Sequence, residues 1–408
     1  MACIVWNFNV NYYERFTKEL YNLKSNINNS VKETAGIITS VLPIALSMAV
    51  CMGMGAVAGA VFSCIAALAG FTLEEKKQMP FYVSFLIVAY IFREFNAATA
   101  SLSIIICGVL LLISVLFYEK TKALLNSAKD NSAFAAIMLS ISLIVTILFT
   151  TDYFGIGATG NTPSEIIKSY ISLGFHPNWR GVLYGTIVMV IMITFPRKFK
   201  KASKIISAAF LALIITTALN YLLNPSDMIT AIREIGSFSF SEYKFNILIP
   251  LFNSKPHILA ASYYALSLYL TSLYMILQND DCKKTDFILS GVANCISGFG
   301  TCMPIPNRIK KNNFRNRIYA SIIIAIIFFV FHHFIERIPV HSCAVVLIVG
   351  VWQSIRWKKI KNAFSSAINI FIFAFIIIFA FARGFEFAIP YSLVAILFKN
   401  NINRKPAV

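Results

Sequence analysis

Apolar runs about one bilayer thick recur along this chain of 408 residues, with short polar gaps between them. A hydrocarbon core roughly 30 Å deep takes about 20 apolar residues per helical crossing. Spans are read near 35–52, 54–71, 98–118, 132–151, 181–196, 203–223, 257–277, 318–334, 339–355, 363–382 and 386–398. Two further segments, 80–92 and 302–309, are too short to cross as whole helices, and 286–301 is short and rich in Gly and Ser. Only 13% of residues are charged and 58% are apolar, against about 25% and 45–50% in soluble domains. A soluble enzyme, a disordered chain and a fibrous repeat are thereby excluded.

Loop charge tests the topology. The net charge is +18, from 36 Lys and Arg and 18 Asp and Glu. With fourteen crossings and a cytoplasmic N-terminus, the short segments count as crossings. Then 28 of the 36 basic residues fall on the cytoplasmic side, in clusters such as Arg197-Lys198-Phe199-Lys200-Lys201. Polytopic membrane proteins show this positive-inside bias. The excess base therefore reads as topology rather than nucleic-acid binding. Omitting one short crossing would reverse the side of every later cluster. The expected localisation is a cell (inner) membrane, multi-pass, with both termini cytoplasmic.

The expected organisation is a polar cytoplasmic arm (1–33), seven segments (34–223), an external loop (224–256), seven more segments (257–398) and a cytoplasmic tail (399–408). Each half opens with two long spans followed by an interrupted one. Short segments at matching places in two halves point to a transporter built of inverted repeats.

Chemical motifs are few. Gly155-Ile-Gly157-Ala-Thr-Gly160 matches GxGxxG, but a dinucleotide site needs a strand before the motif and a helix after it. Here an apolar span precedes and Asn161-Thr162-Pro163 follows, so a glycine-rich turn is expected and no cofactor. His332, His333 and Glu336 lie at a span end with His341 nearby. They fall short of the ligand spacing of a metal centre, and no metal is expected. The eight Cys are scattered through apolar runs without a CxxC pair and read as small apolar fillers. The spans hold almost no ionisable residue, which argues against simple proton coupling.

The short segments have two readings from spacing alone. They are tight loops between shortened spans, or half-helices whose starts lie at membrane depth. Irregular backbone at that depth must be buried in protein or line a cavity. A half-helix start offers free N–H groups and the positive end of the helix dipole to an anion. Pro80 suits the first turn of 80–92, where a missing N–H costs nothing. Pro304 and Pro306 could serve the second, with Lys76, Lys77 and Arg308 close by in sequence.

The second half resembles the sulfate permease (SulP) family of anion transporters. The likeness is carried by Gly291-Val-Ala-Asn294-Cys-Ile-Ser297-Gly298-Phe-Gly300-Thr-Cys-Met303-Pro304, by Arg315-Asn316-Arg317-Ile-Tyr319-Ala320, and by Ile338-Pro339 with Ala344–Gly350 and Trp352 to Trp357. In the first half it is carried by Leu42-Pro43, Asn178-Trp179 and Phe195-Pro196-Arg197, and in the middle by Ile232–Gly236 with Phe238-Ser239-Phe240. The resemblance implies an all-α membrane protein of fourteen segments in 7+7 inverted repeats, with a core domain, a gate domain and two half-helices. It implies a small inorganic anion as substrate, sulfate, bicarbonate or similar, moved by alternating access, and a homodimer.

Carried over residue by residue, the third segment begins near Met79-Pro80-Phe81. The tenth begins near Pro304-Ile305-Pro306-Asn307-Arg308. Pro43 to Ser47 face the site from the first segment, and Thr271-Ser272 from the eighth. Departures from the family pattern are Ile44 in place of a polar residue, Met48 in place of an aromatic, Thr271 where many members have an acid, and a shortened tenth segment. The chain also ends at Val408 without the STAS domain common in the family. Two other readings therefore stand beside anion transport: a scaffold that keeps the fold without flux, and a nucleobase permease of the same architecture.

Overall fold

The computed structural model describes residues 28–51, 56–69, 79–127, 131–158, 160, 163–223, 254–277, 283–300, 303–305, 314–335, 337–353, 355, 357, 360 and 367–383. The expected segment at 386–398, the loop 224–253 and the tail 399–408 lie outside them.

The described elements are helices: α1 (Asn28–Cys51), α2 (Ala56–Ala69), α3 (Met79–Glu94), α4 (Ala97–Leu116), α5 (Tyr118–Ser127), α6 (Asn131–Phe154), α7 (Pro163–Leu173), α8 (Trp179–Lys198), α9 (Ala208–Leu223), α10 (Ile258–Leu277), α11 (Lys284–Gly300), α12 (Phe314–Ile335), α13 (Val340–Gln353) and α14 (Ala367–Arg383). α5 and α7 are short and polar-faced, and replace parts of what sequence alone reads as loops. The other twelve are the crossings, with the tenth and fourteenth segments of the sequence reading beyond the described helices. α1 begins at Asn28, inside the stretch read as a polar arm. There Glu33 accepts a 2.6 Å bond from the Asn316 amide at the head of α12, and the Ser30 hydroxyl donates to the Asn316 side-chain oxygen.

Two groups of helices each pack chiefly among themselves. In one, α4 lies against α10 and α11, α2 against α11 and α12, and α3 against α10. In the other, α13 lies against α6, α8 and α9, and α14 against α6. The pairs obey a seven-segment offset. Segments two and eleven (α2, α12) match nine and four (α11, α4), and five and thirteen (α6, α14) match twelve and six (α13, α8). This is the packing of two inverted repeats divided into core and gate, and among the described helices α1, α4, α8 and α12 are long and apolar enough to cross a membrane.

Small residues bring the core helices close. Without a hydrophobic force between helices in lipid, small side chains and short hydrogen bonds carry association. A Cβ added to Gly108 of α4 would sit 2.7 Å from the Gly291 carbonyl oxygen of α11, and one on Gly291 would sit 2.9 Å from the Gly108 carbonyl oxygen. The Ser101 hydroxyl donates to the Gly298 carbonyl at 2.5 Å in the same seam. At the α3–α4 corner, Asn96 caps α4 by accepting from the Thr99 N–H at 2.8 Å, and the Thr99 hydroxyl oxygen accepts from the His257 N–H at 3.0 Å, tying the entry of α10.

Candidate anion site and its supports

The best-defined part of the site is the approach to the tenth segment. Met303, Pro304 and Ile305 run non-helically and fully buried behind α11. A proline pushes the residue before it toward extended backbone, so Met303-Pro304 cannot simply continue α11. Buried irregular backbone needs partners for its polar groups, and α11 supplies them. The Asn294 amide donates to the Ile305 carbonyl at 3.0 Å and to the Ser290 carbonyl at 2.8 Å. Its side-chain oxygen accepts from the Ile305 N–H at 2.9 Å. One turn on, the Ser297 hydroxyl donates to the Met303 carbonyl.

α3 opens at Met79 with Pro80 in its first turn. Its 16 residues span about 24 Å at 1.5 Å per residue, short of a full crossing. The side chains of Met79, Pro80 and Phe81 lie outside the described set, as do Pro306, Asn307 and Arg308.

α1 carries Pro43 in mid-helix. The ring removes the hydrogen bond that the Thr39 carbonyl would otherwise accept. That carbonyl is taken by the Ser207 hydroxyl at the head of α9. The Thr39 hydroxyl donates to the Ile205 carbonyl at 3.1 Å and accepts from the Ser207 N–H at 3.3 Å. A core helix is thus pinned to a gate helix at the point where proline breaks it. Four residues on, Ser47 is fully buried beside Cys343 of α13.

From the eighth segment, Thr271 and Ser272 are both buried. Thr271 donates to the Ser267 carbonyl one turn back at 2.7 Å, and the Ser272 hydroxyl lies 4.0 Å from the Cys107 sulfur of α4. Ser272 therefore looks into the core helices, away from the gate. Ile44 and Met48, the departures on α1, are buried as well.

Sequence reasoning missed four residues that build this region: Asn294, Ser297, Thr39 and Ser207. A signal existed for the first two. Ser290, Asn294 and Ser297 form a helical stripe one residue offset from Gly291, Cys295 and Gly298. One stripe meets α4 and the other holds the extended approach.

The remaining motifs are structural. Gly155 (φ +67°) closes α6, and His341 packs against it and against Gly181 of α8. His341 is buried with Nδ1 2.7 Å from the Asp152 carbonyl, remote in role from His332 and His333, whose rings lie 4.0 Å apart at the end of α12. Glu336 is outside the described residues. Among the described residues no three His, Cys, Asp or Glu are grouped to hold a metal.

No protein-family model matches the sequence, and no curated protein matches it. Solved structures do. The transmembrane domain of a cyanobacterial bicarbonate transporter, BicA, is similar with a TM-score of 0.59 and 16% identity over 91% of this chain and 97% of that one. SLC26A9 is similar with a TM-score of 0.63 and 14% identity over 91% of this chain and 66% of that one. The murine Slc26a9 anion transporter, in its inward-facing state, gives 0.63 and 13% over 91% and 68%. A likeness at such identities is one of architecture, and the architecture is that of the SulP/SLC26 membrane domain, fourteen segments in two inverted repeats.

Proposed function

We propose that this protein is a secondary transporter or exchanger of a small inorganic anion, sulfate, bicarbonate or similar, working by alternating access in the cell membrane. Its anion rests between the starts of α3 and of the tenth segment. Met79 to Phe81 form one wall and Pro304 to Arg308 the other, with Pro43 to Ser47 and Thr271 at the sides. Unpaired N–H groups at helix starts hold an anion by their dipoles, which suits a site whose described side chains are uncharged. Both termini lie in the cytoplasm on the loop-charge argument, and the resemblance implies a homodimer.

The observation that carries this reading is the clamp of Asn294 and Ser297 on Met303–Ile305. It holds an irregular backbone segment inside the protein, an arrangement that membrane depth tolerates only where the segment is buried in protein or lines a cavity. The similarity to a bicarbonate transporter and to an anion transporter supports the choice of ligand. The division into two helix groups joined at α1–α9 supports movement of one group against the other.

The test is uptake of radiolabelled sulfate, bicarbonate and chloride into proteoliposomes holding the purified chain. Flux above protein-free vesicles for at least one anion is expected, and Asn294→Ala should depress it. Absence of flux for every anion, with monodisperse protein, would overturn transport and leave the scaffold reading.

A further inference from the structure

A cavity of about 380 Å³ lies between α1, α9 and α12, lined by Leu42, Leu46, Leu213, Ile214, Phe331 and Phe334 among others. It sits on the seam between core and gate. The Thr39–Ser207 pin lies one turn before its lining on α1 and α9. Toward the far end of α9 a second pin follows: the Asn220 amide donates to the Arg337 carbonyl at 2.8 Å, and Tyr221 stacks on Phe334 at 5.5 Å and lies under the Arg337 guanidinium at 4.8 Å.

The space has no use for water. Thr217 is its single polar lining residue, and that hydroxyl is spent on the Leu213 carbonyl at 2.6 Å. Apolar cavities stay dry and take apolar guests, and one of about 150 Å³ already holds benzene. Left empty, a space this large forfeits dispersion contacts along its whole wall. The flank is open: Ile214, Phe331 and Phe334 line the cavity yet keep 49%, 49% and 47% of their surface accessible. On a membrane-spanning bundle that accessible surface faces hydrocarbon.

We propose that this cavity is a binding site for the acyl chain of a bilayer lipid, which enters sideways between α9 and α12 and lodges against Leu42 and Leu46 of α1. The inference goes beyond anion transport and does not depend on it. Filling the seam between its two pins, the chain spaces α9 of the gate from α12 of the core along an apolar stretch.

Leu42 and Leu46 make the proposal testable, because each is only 3% exposed and the cavity is the route to it. The whole protein would be placed in nanodiscs of phosphatidylcholine carrying a photoactivatable group in mid-chain, irradiated, and mapped by mass spectrometry. Label is expected on the peptide bearing Leu42 and Leu46 as well as on α9 and α12. Narrowing the mouth at Ala218, an exposed lining residue of α9, by Ala218→Phe, or independently by Ile214→Trp, should lower the α1 label at least fivefold while label on the exposed face of α14 is unchanged. Two independent substitutions keep the test sound if one impairs folding. Label confined to outward faces, or α1 label that survives both substitutions, would overturn the proposal.

Discussion

Replacing Asn294 by Ala should loosen the approach to the tenth segment without unfolding the bundle. The substitution removes the donor to the Ile305 carbonyl and the acceptor for the Ile305 N–H, so two buried backbone groups lose their partner together. Each orphaned buried group costs about 1–3 kcal/mol, giving roughly 2–6 kcal/mol for the pair. At 1.4 kcal/mol per factor of ten, even the lower figure predicts exchange of the Ile305 amide about 30-fold faster than in the parent. Hydrogen exchange read by mass spectrometry reports such local opening directly. Ser290→Ala is the matched control. Its buried hydroxyl has no hydrogen bond, and Asn294 uses the Ser290 backbone carbonyl, which alanine keeps. An Ile305 amide that exchanges within threefold of the parent rate in Asn294→Ala, or equally fast in both variants, would refute the clamp.

The α1–α9 pin predicts matched effects. Thr39→Val loses the bonds to the Ile205 carbonyl and from the Ser207 N–H, and Ser207→Ala loses the bond to the carbonyl freed by Pro43 and the cap on the Phe210 N–H; at about 0.6 kcal/mol per bond, each should lower the thermal midpoint in detergent by a similar amount. Gly108→Val drives a branched side chain into the α11 backbone and should broaden or abolish the monodisperse peak in size-exclusion chromatography. Gly300→Ala, whose added carbon meets no described residue within 4 Å, should leave that peak unchanged.

Much of the architecture could be read before any coordinates. Spacing placed Pro80 in the opening turn of a short helix, and α3 starts at Met79. The family resemblance took in Asn178-Trp179, and Asn178 caps α8 by accepting from the Gly181 N–H. Hydropathy succeeds here because each crossing must satisfy its own backbone in lipid. It failed on α5 and α7, too short and polar to register as spans. It also placed the start of α9 too early, because Ser207 begins the helix by accepting from the Phe210 N–H, after a 3₁₀ turn at Ala202–Lys204. The site was less legible for a different reason. Asn294 and Ser297 act on backbone a few residues downstream, and Thr39 acts on a helix far along the chain. No hydropathy period records either relation. Ser272 illustrates the converse: the resemblance carried it to the site, and its hydroxyl meets a thiol of a neighbouring helix.

The twin stripes of α11 also fix what kind of change this helix can absorb. Adding or deleting one residue between Gly291 and Ser297 would rotate everything beyond it by about 100°. Glycines would then swing off the α4 seam just as the hydroxyl and amide swung off Met303–Ile305. Point replacements test those duties singly, but an indel spoils both at a stroke. Lineages carrying this fold should therefore vary α11 in letter while holding its length constant.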